Sequence, residues 1–143
     1  MLTRIKSCGS VVFKKANEVE YLLLQSGSMA HPGFWDFSKG EVDNGETETD
    51  TALRELKEET GIMDARLIEG FRDEIHYFFK QQDKTIFKTA VFYLFETRQK
   101  EVKLSWEHIG YEWLVYEKAM ERLTFTNSRK VLKKAYDFLS MTV

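Results

Sequence analysis

The chain has 143 residues, 43% of them hydrophobic and 14% aromatic, which is enough for one globular domain with one core but not for two. Its 21 lysines and arginines nearly balance its 23 aspartates and glutamates, so a net charge of −2 offers no overall basic field to DNA or a membrane surface. With one cysteine, no apolar leader and no apolar run near the roughly 20 residues that span a bilayer, we expect a single domain over residues 1–143, located in the cytoplasm.

The first third of the chain predicts two strands followed by two loops. Residues 5–13 are apolar and β-branched, and residues 21–25 form a compact apolar run, with polar residues between them. Residues 26–33 contain the one proline and two glycines, which favours a loop before the aromatic segment 34–37. Residues 40–45 begin and end with glycine and predict a second loop.

A helix is predicted over residues 47–60. Thr47 followed by Asp50 three residues later resembles a capping box, and acidic residues fill the first turn. Gly61 stands where a C-terminal cap belongs.

The second half predicts a long hairpin, a short strand and a final helix. Residues 65–79 and 85–96 are rich in Ile, Phe, Tyr and Val, with a polar turn at 81–84, and residues 111–115 predict one more strand. Asn127 or Ser128 can cap the last helix. Its apolar residues share one face, which we expect to pack on the core: Val131, Leu132, Ala135, Phe138 and Leu139. Strands mixed with two main helices predict an α/β domain in which helices cover a mixed sheet.

Three glutamates of the first predicted helix carry the functional argument. Glu55, Glu58 and Glu59, here called the glutamate trio, stand at i, i+3 and i+4, which places them on adjoining parts of one helical face. Like charges at this spacing cost a few tenths of a kcal/mol per pair, so such a face either meets solvent or holds a cation. For three glutamates alone, a solvated face is the favoured interpretation.

The sequence around the glutamate trio favours the second interpretation. Gly40 is followed after five residues by Glu46, and after seven more by residues 54–62. This fills every fixed position of G-x5-E-x7-R-E-U-x-E-E-x-G-U, where U is aliphatic, a match expected by chance on the order of once in a billion start positions. The pattern is the Nudix box, and the chain resembles the Nudix hydrolase superfamily. That resemblance implies a mixed sheet sandwiched between helices, and metal-dependent hydrolysis of a phosphoanhydride bond.

The chemistry of the side chains agrees with a hard cation. Carboxylate oxygens suit Mg²⁺ or Mn²⁺, whereas His31, His76 and His108 show no zinc spacing. A divalent ion offsets phosphate charge and lowers the pKa of bound water. The planar fork of Arg54 is suited to orienting one of the glutamates, and the resemblance adds the Gly40 carbonyl to the glutamate trio as a metal ligand.

The flanking sequence resembles the asymmetric diadenosine tetraphosphate hydrolases of the superfamily, which split the dinucleotide into ATP and AMP. The matching segments are residues 21–25, Trp35, 39–40, 45–46, 68–71, 106–108 and 111–114. The resemblance assigns further side chains: Lys39 to the phosphate chain, Tyr77 and Phe125 to the faces of an adenine ring, Glu107 to a general base or extra metal ligand, and Lys88 and His31 to further substrate contacts.

Several of these roles have a structural alternative. Tyr77 lies in an apolar stretch and can equally belong to the core, whereas Phe125 has polar neighbours and favours stacking. On spacing alone, Glu107 is an ordinary surface residue. Where the subgroup usually has proline, histidine and proline, this chain has Ser38, Glu41 and Asn44, departures that bear on affinity and substrate preference.

Three functions remain open. The first is hydrolysis of diadenosine tetraphosphate, with a small-molecule nucleotide as the partner. The second is removal of pyrophosphate from capped or triphosphorylated RNA, or hydrolysis of another nucleoside diphosphate derivative. The third is a nucleotide-binding module without catalysis, which the intact glutamate trio disfavours.

Overall fold

The computed structural model describes residues 2–141 and contains eight strands and three helices within that range. The strands are β1 Leu2–Lys15, β2 Val19–Ser26, β3 Trp35–Asp36, β4 Ser38–Glu41, β5 Arg66–Leu67, β6 Asp73–Gln81, β7 Lys84–Glu96 and β8 His108–Val115. The helices are α1 Glu48–Thr60, α2 Tyr116–Arg122 and α3 Thr126–Met141. All eight strands belong to one sheet.

Strand β1 is the centre of the sheet. It pairs in parallel with β7 from Leu2 to Phe13, and antiparallel with β4 and β2 on its other edge. Strand β6 extends the sheet beyond β7, and β8 extends it beyond β2. Because β1 has neighbours on both edges and helices on both faces, residues 7–14 are buried without a break, as expected for an interior strand.

Two apolar layers separate the sheet from its helices. On one face, Ala52 and Leu56 of α1 are fully buried against Cys8 and Val12. On the other face, α2 and α3 cover a cluster that includes Val11 and other side chains of the sheet. The predicted fold class, a mixed sheet between helices, is therefore confirmed.

Helix α1 has the predicted ends. The backbone N–H of Asp50 donates to the Thr47 hydroxyl at 3.1 Å, and the backbone N–H of Thr47 donates to the Asp50 carboxylate at 3.2 Å, which completes a capping box. Gly61 adopts a left-handed conformation (φ 71°) and its N–H donates to the Lys57 carbonyl. With both ends fixed and its apolar stripe buried, α1 holds the glutamate trio in a defined direction.

Two predicted boundaries in the strand regions are wrong. Gly40 and Glu41 do not begin a loop but pair with β1 as part of β4, and the loop starts at Val42. The predicted strand 65–79 is interrupted, because β7 pairs first with β5 and then with β6, while Gly70 turns the chain between them (φ 98°). The hairpin of β6 and β7 itself, with its turn after Gln81, is confirmed.

The C-terminal region also differs from the prediction. Helix α2 was not foreseen, since its seven residues are too few to show an apolar period. Helix α3 begins at Thr126, so the predicted caps Asn127 and Ser128 lie inside it, but its apolar face packs on the core as expected. Among residues 2–141, no helix combines the length and apolarity needed to cross a bilayer.

Candidate active site

The site is built where β4 meets α1. Gly40 pairs with Cys8 of the central strand, and the Glu55 side chain lies against its Cα. A Cβ at position 40 would lie 2.6 Å from the Glu55 Cγ and nearer still to its carboxyl group. Glycine is required here for close approach, which is the physical reason for a glycine inside a strand.

Arg54 connects the glutamate trio to the loop before α1. Its Nε and Nη2 donate to the two carboxylate oxygens of Glu46 at 2.6 and 3.0 Å, and Nη1 donates to Glu55 at 2.9 Å. The same Nη1 also donates to the Glu58 carboxylate, but at a longer distance of 3.4 Å, and the Glu58 side chain is 57% exposed. The hydrogen bonds from Arg54 lower the pKa of Glu46 to about 2. Arg54 therefore contacts the carboxylates and not the pocket, a position that suits an orienting role.

Glu59 is the unusual member of the glutamate trio. It is only 4% exposed, and its Oε1 has no hydrogen-bond partner among the described residues. Burial raises the pKa of Glu59 well above its ordinary value, and the negative charges of Glu55 and Glu107 raise it further. A buried carboxyl oxygen without a partner is costly, so the Glu59 Oε1 favours a nearby cation or a proton.

A divalent cation fits this set of donors in part. Within residues 2–141, no three His, Cys, Asp or Glu side chains converge as a ready metal site, and both Glu55 and Glu58 accept hydrogen bonds from Arg54. Glu55, the free oxygen of Glu59 and the adjoining Gly40 backbone nevertheless offer the oxygen ligands that Mg²⁺ and Mn²⁺ accept. Glu58 is exposed enough to change rotamer and join them.

A pocket of about 510 Å³ opens beside Glu59, a volume typical of small-molecule sites. Besides Glu59, six of the side chains predicted for the site line it: His31, Lys39, Tyr77, Lys88, Glu107 and Phe125. The other four predicted residues are not among its lining residues: Gly40, Arg54, Glu55 and Glu58. Glu59 is thus the point where the glutamate trio meets the pocket.

Asp36 is a pocket residue that sequence reasoning missed. It accepts hydrogen bonds from the Lys39 Nζ at 2.8 Å and from the Ser128 hydroxyl at 2.7 Å. Burial alone would lower the pKa of Lys39, but the Asp36 carboxylate outweighs it and the pKa is raised. Burial lowers the pKa of Lys88, and the nearby positive charge of Lys39 lowers it further. The spacing of Asp36 and Lys39 was visible in the sequence, whereas the contact with α3 was not.

Aromatic rings form one wall of the pocket. His31 and Phe34 are stacked with centroids 5.5 Å apart, and Phe125 meets both edge-on at 6.1 and 5.5 Å. Phe34 was not predicted, and Phe125 is half-buried. Tyr77 is also half-buried and lines the pocket, a position that suits contact with a ligand. Such rings can stack on a nucleobase.

Helix α1 carries most of the Nudix box and lies beside a pocket large enough for a nucleotide, which is the arrangement expected of a Nudix protein. Residues 3–135 match the NUDIX domain family, and the chain belongs to that family. It is 36% identical to the mouse (Mus musculus) asymmetrical bis(5′-nucleosyl)-tetraphosphatase, over 96% of this chain and 97% of that protein. The resemblance inferred from the sequence is thereby confirmed.

Structural comparison points to the same group. The crystal structure of a Caenorhabditis elegans Ap4A hydrolase binary complex superposes with a TM-score of 0.82 at 30% identity, covering 95% of this chain and 98% of that one. A Bartonella bacilliformis RNA pyrophosphohydrolase is 37% identical, but over only 54% of this chain and 48% of that protein. Of these three proteins, the tetraphosphatase and the Ap4A hydrolase match over nearly the full length, whereas the RNA pyrophosphohydrolase matches over about half.

Proposed function

We propose that this Nudix hydrolase cleaves diadenosine tetraphosphate (Ap4A) to ATP and AMP with the help of Mg²⁺ or Mn²⁺. The observation that carries the proposal is the buried Glu59 carboxyl, whose Oε1 has no hydrogen-bond partner among the described residues, at the junction between the glutamate trio and a pocket with cationic and aromatic side chains. The names of the full-length relatives support the choice of substrate.

Within this proposal, Glu55, Glu58, Glu59 and the Gly40 carbonyl hold the cation. When bound, the ion supplies charge that offsets the phosphates and favours a water-derived nucleophile at neutral pH. Arg54 keeps Glu55 in place by holding it and Glu46 with the same guanidinium group. Glu55 is therefore fixed before substrate arrives, whereas Glu58 has to change rotamer to join it.

The pocket residues bind and orient the nucleotide. Lys39 remains charged because of Asp36, and it contributes positive charge to the phosphate chain together with Lys88. Tyr77 and Phe125 stack on one adenine, and His31 packs beside them. These contacts place one base in the pocket and direct the phosphates towards Glu59.

A carboxylate near the cation accepts the proton of the attacking water. Glu58 and Glu107 are both exposed, so either can exchange that proton with solvent. Glu107 lines the pocket, while Glu58 belongs to the glutamate trio. Comparing Glu58→Gln with Glu107→Gln across pH separates the two, because loss of the base removes the acidic limb of the kcat profile.

Glu58→Gln tests the catalytic proposal directly. We expect kcat for Mg²⁺-dependent release of ATP and AMP to fall by at least about 100-fold, while circular dichroism and thermal unfolding stay unchanged. Glu117→Gln, an exposed glutamate on α2, is the matched control and keeps full activity. Near-normal turnover by Glu58→Gln would contradict the proposal.

Two further measurements identify the substrate and the bond. Rates on Ap4A and on triphosphorylated RNA, measured side by side, decide between a dinucleotide and an RNA end. Hydrolysis of Ap4A in ¹⁸O-labelled water shows which product carries the label and hence which phosphorus is attacked. A catalytically silent chain that still binds nucleotide would support the binding-module alternative.

A further inference from the structure

An exposed tryptophan directly precedes two residues of the pocket lining. Trp106 is 91% exposed, a rare state for so large an aromatic side chain. It occupies the turn before β8, and the next two residues, Glu107 and His108, both line the pocket. Trp106 is therefore next to the pocket lining along the chain, and its side chain is open to solvent.

The turn that carries Trp106 is held in place. The His108 N–H donates to the Ser105 carbonyl at 3.2 Å, which closes the turn. The Gly27 N–H donates to the Glu107 carbonyl at 2.9 Å and ties the turn to the loop after β2. That loop also lines the pocket through Ser28. Because two backbone hydrogen bonds fix the turn, the backbone that carries the indole needs little further ordering on binding.

The size of the pocket leaves part of a dinucleotide outside it. A volume of about 510 Å³ with one aromatic wall accommodates one nucleoside and part of the phosphate chain. The other nucleoside has to leave through the mouth. A neutral base, unlike a phosphate, is not repelled there by the adjacent Glu107 carboxylate.

We propose that Trp106 is the stacking platform for the second base of the dinucleotide, the base that remains outside the pocket. The proposal rests on the proposed function, since a substrate with only one base has no use for this platform. Stacking on an aromatic side chain contributes roughly 1–3 kcal/mol per base, a factor of about 5 to 150 in affinity. Trp106 thus selects dinucleotides over mononucleotides and takes no part in bond cleavage.

The test compares two substrates that share a phosphate chain. Adenosine 5′-tetraphosphate has the four phosphates of Ap4A but lacks the second base. We expect Trp106→Ala to raise KM for Ap4A about tenfold, with kcat changed less than twofold and KM for adenosine 5′-tetraphosphate nearly constant. Trp106→Phe should keep most of the affinity, and Met63→Ala, an exposed apolar residue outside the pocket lining, is the control.

A binding measurement separates this proposal from the proposed function. In the Glu58→Gln background, Ap4A should quench the tryptophan fluorescence more than adenosine 5′-tetraphosphate does, and Trp106→Phe should remove that difference, since Trp35 and Trp113 are common to both variants. Quenching without turnover by the wild-type chain would overturn the proposed function and leave the platform intact. Normal turnover of Ap4A with no effect of Trp106→Ala on KM or quenching would overturn the platform alone. Equal losses on both substrates would also overturn it.

Discussion

Gly40→Ala is the sharpest test of how the site is assembled. The added methyl group would lie 2.6 Å from the Glu55 Cγ, whereas carbon atoms in contact are separated by about 3.5 Å. The Glu55 carboxyl carbon lies closer still to that position, so Glu55 must retreat by more than about 1 Å. A displacement of about 1 Å at a reacting centre can cost about 100-fold in rate, so we expect kcat/KM for Ap4A to fall by about that factor.

The same variant should change metal binding more than stability. Gly40 does not have a positive φ, so alanine fits its backbone conformation, and the side chain that must move ends in a flexible carboxylate. We expect thermal unfolding to change little, while the affinity for Mn²⁺, measured by titration calorimetry, falls roughly 10- to 100-fold.

Gly45→Ala is the matched control. Gly45 has φ 82° with nothing within 4 Å of the position that an alanine Cβ would take, so alanine there introduces backbone strain of about 1–2 kcal/mol but no clash with the site. Its melting temperature should fall while its Mn²⁺ affinity is retained. Wild-type activity and Mn²⁺ affinity in Gly40→Ala would refute the claim that Glu55 has to lie against residue 40.

Three further predictions concern Arg54, Glu48 and Phe125. Arg54→Lys keeps the charge but loses the fork that holds Glu46 and Glu55, so kcat should fall roughly 10- to 100-fold with an unchanged circular dichroism spectrum; full activity would exclude the orienting role. Glu48 accepts hydrogen bonds from Arg72 and the Tyr93 hydroxyl, and Arg72 is the chief cause of its lowered pKa. The Glu48 carboxylate therefore stabilises the folded state above the unfolded pKa near 4.5, and this stabilisation is lost as the pH falls below that value. Glu48→Gln should therefore cost roughly 1–3 kcal/mol in urea unfolding at pH 7 and clearly less at pH 3, and an equal cost at both would contradict this sign. Phe125→Ala should raise KM for Ap4A about tenfold with little effect on kcat, and an unchanged KM would remove Phe125 from the base-binding wall.

Local sequence was sufficient wherever the interaction is local. The capping box of α1 spans four residues, Thr47 to Asp50, and Gly61 directly follows the last residue of the helix, Thr60. Both ends of the helix could therefore be predicted. The spacing of the box likewise identified the family, since it is a pattern along the chain. The single-domain assignment over residues 1–143 and the catalytic roles within the site stay predictions.

The errors occurred where distant segments meet. Residues 40–45 have the composition of a loop, but Gly40 belongs to β4, because β4 pairs with the edge of β1 that faces away from β7. Glu55 fills the space that a side chain at position 40 would take. Asp36 could not be foreseen as a pocket residue, because one of its partners is Ser128, 92 positions away.

The sequence by itself determined the class of protein, the helix that carries the glutamate trio and the kinds of ligand that those carboxylates favour. These follow from spacing, side-chain chemistry and contacts within a few residues. Only the tertiary structure decided that Glu59 is buried beside the pocket with its Oε1 unpartnered, and that Trp106 is exposed directly before two residues of the pocket lining. Burial and exposure depend on which distant segments pack together, and that packing is a property of the whole sheet and its helices.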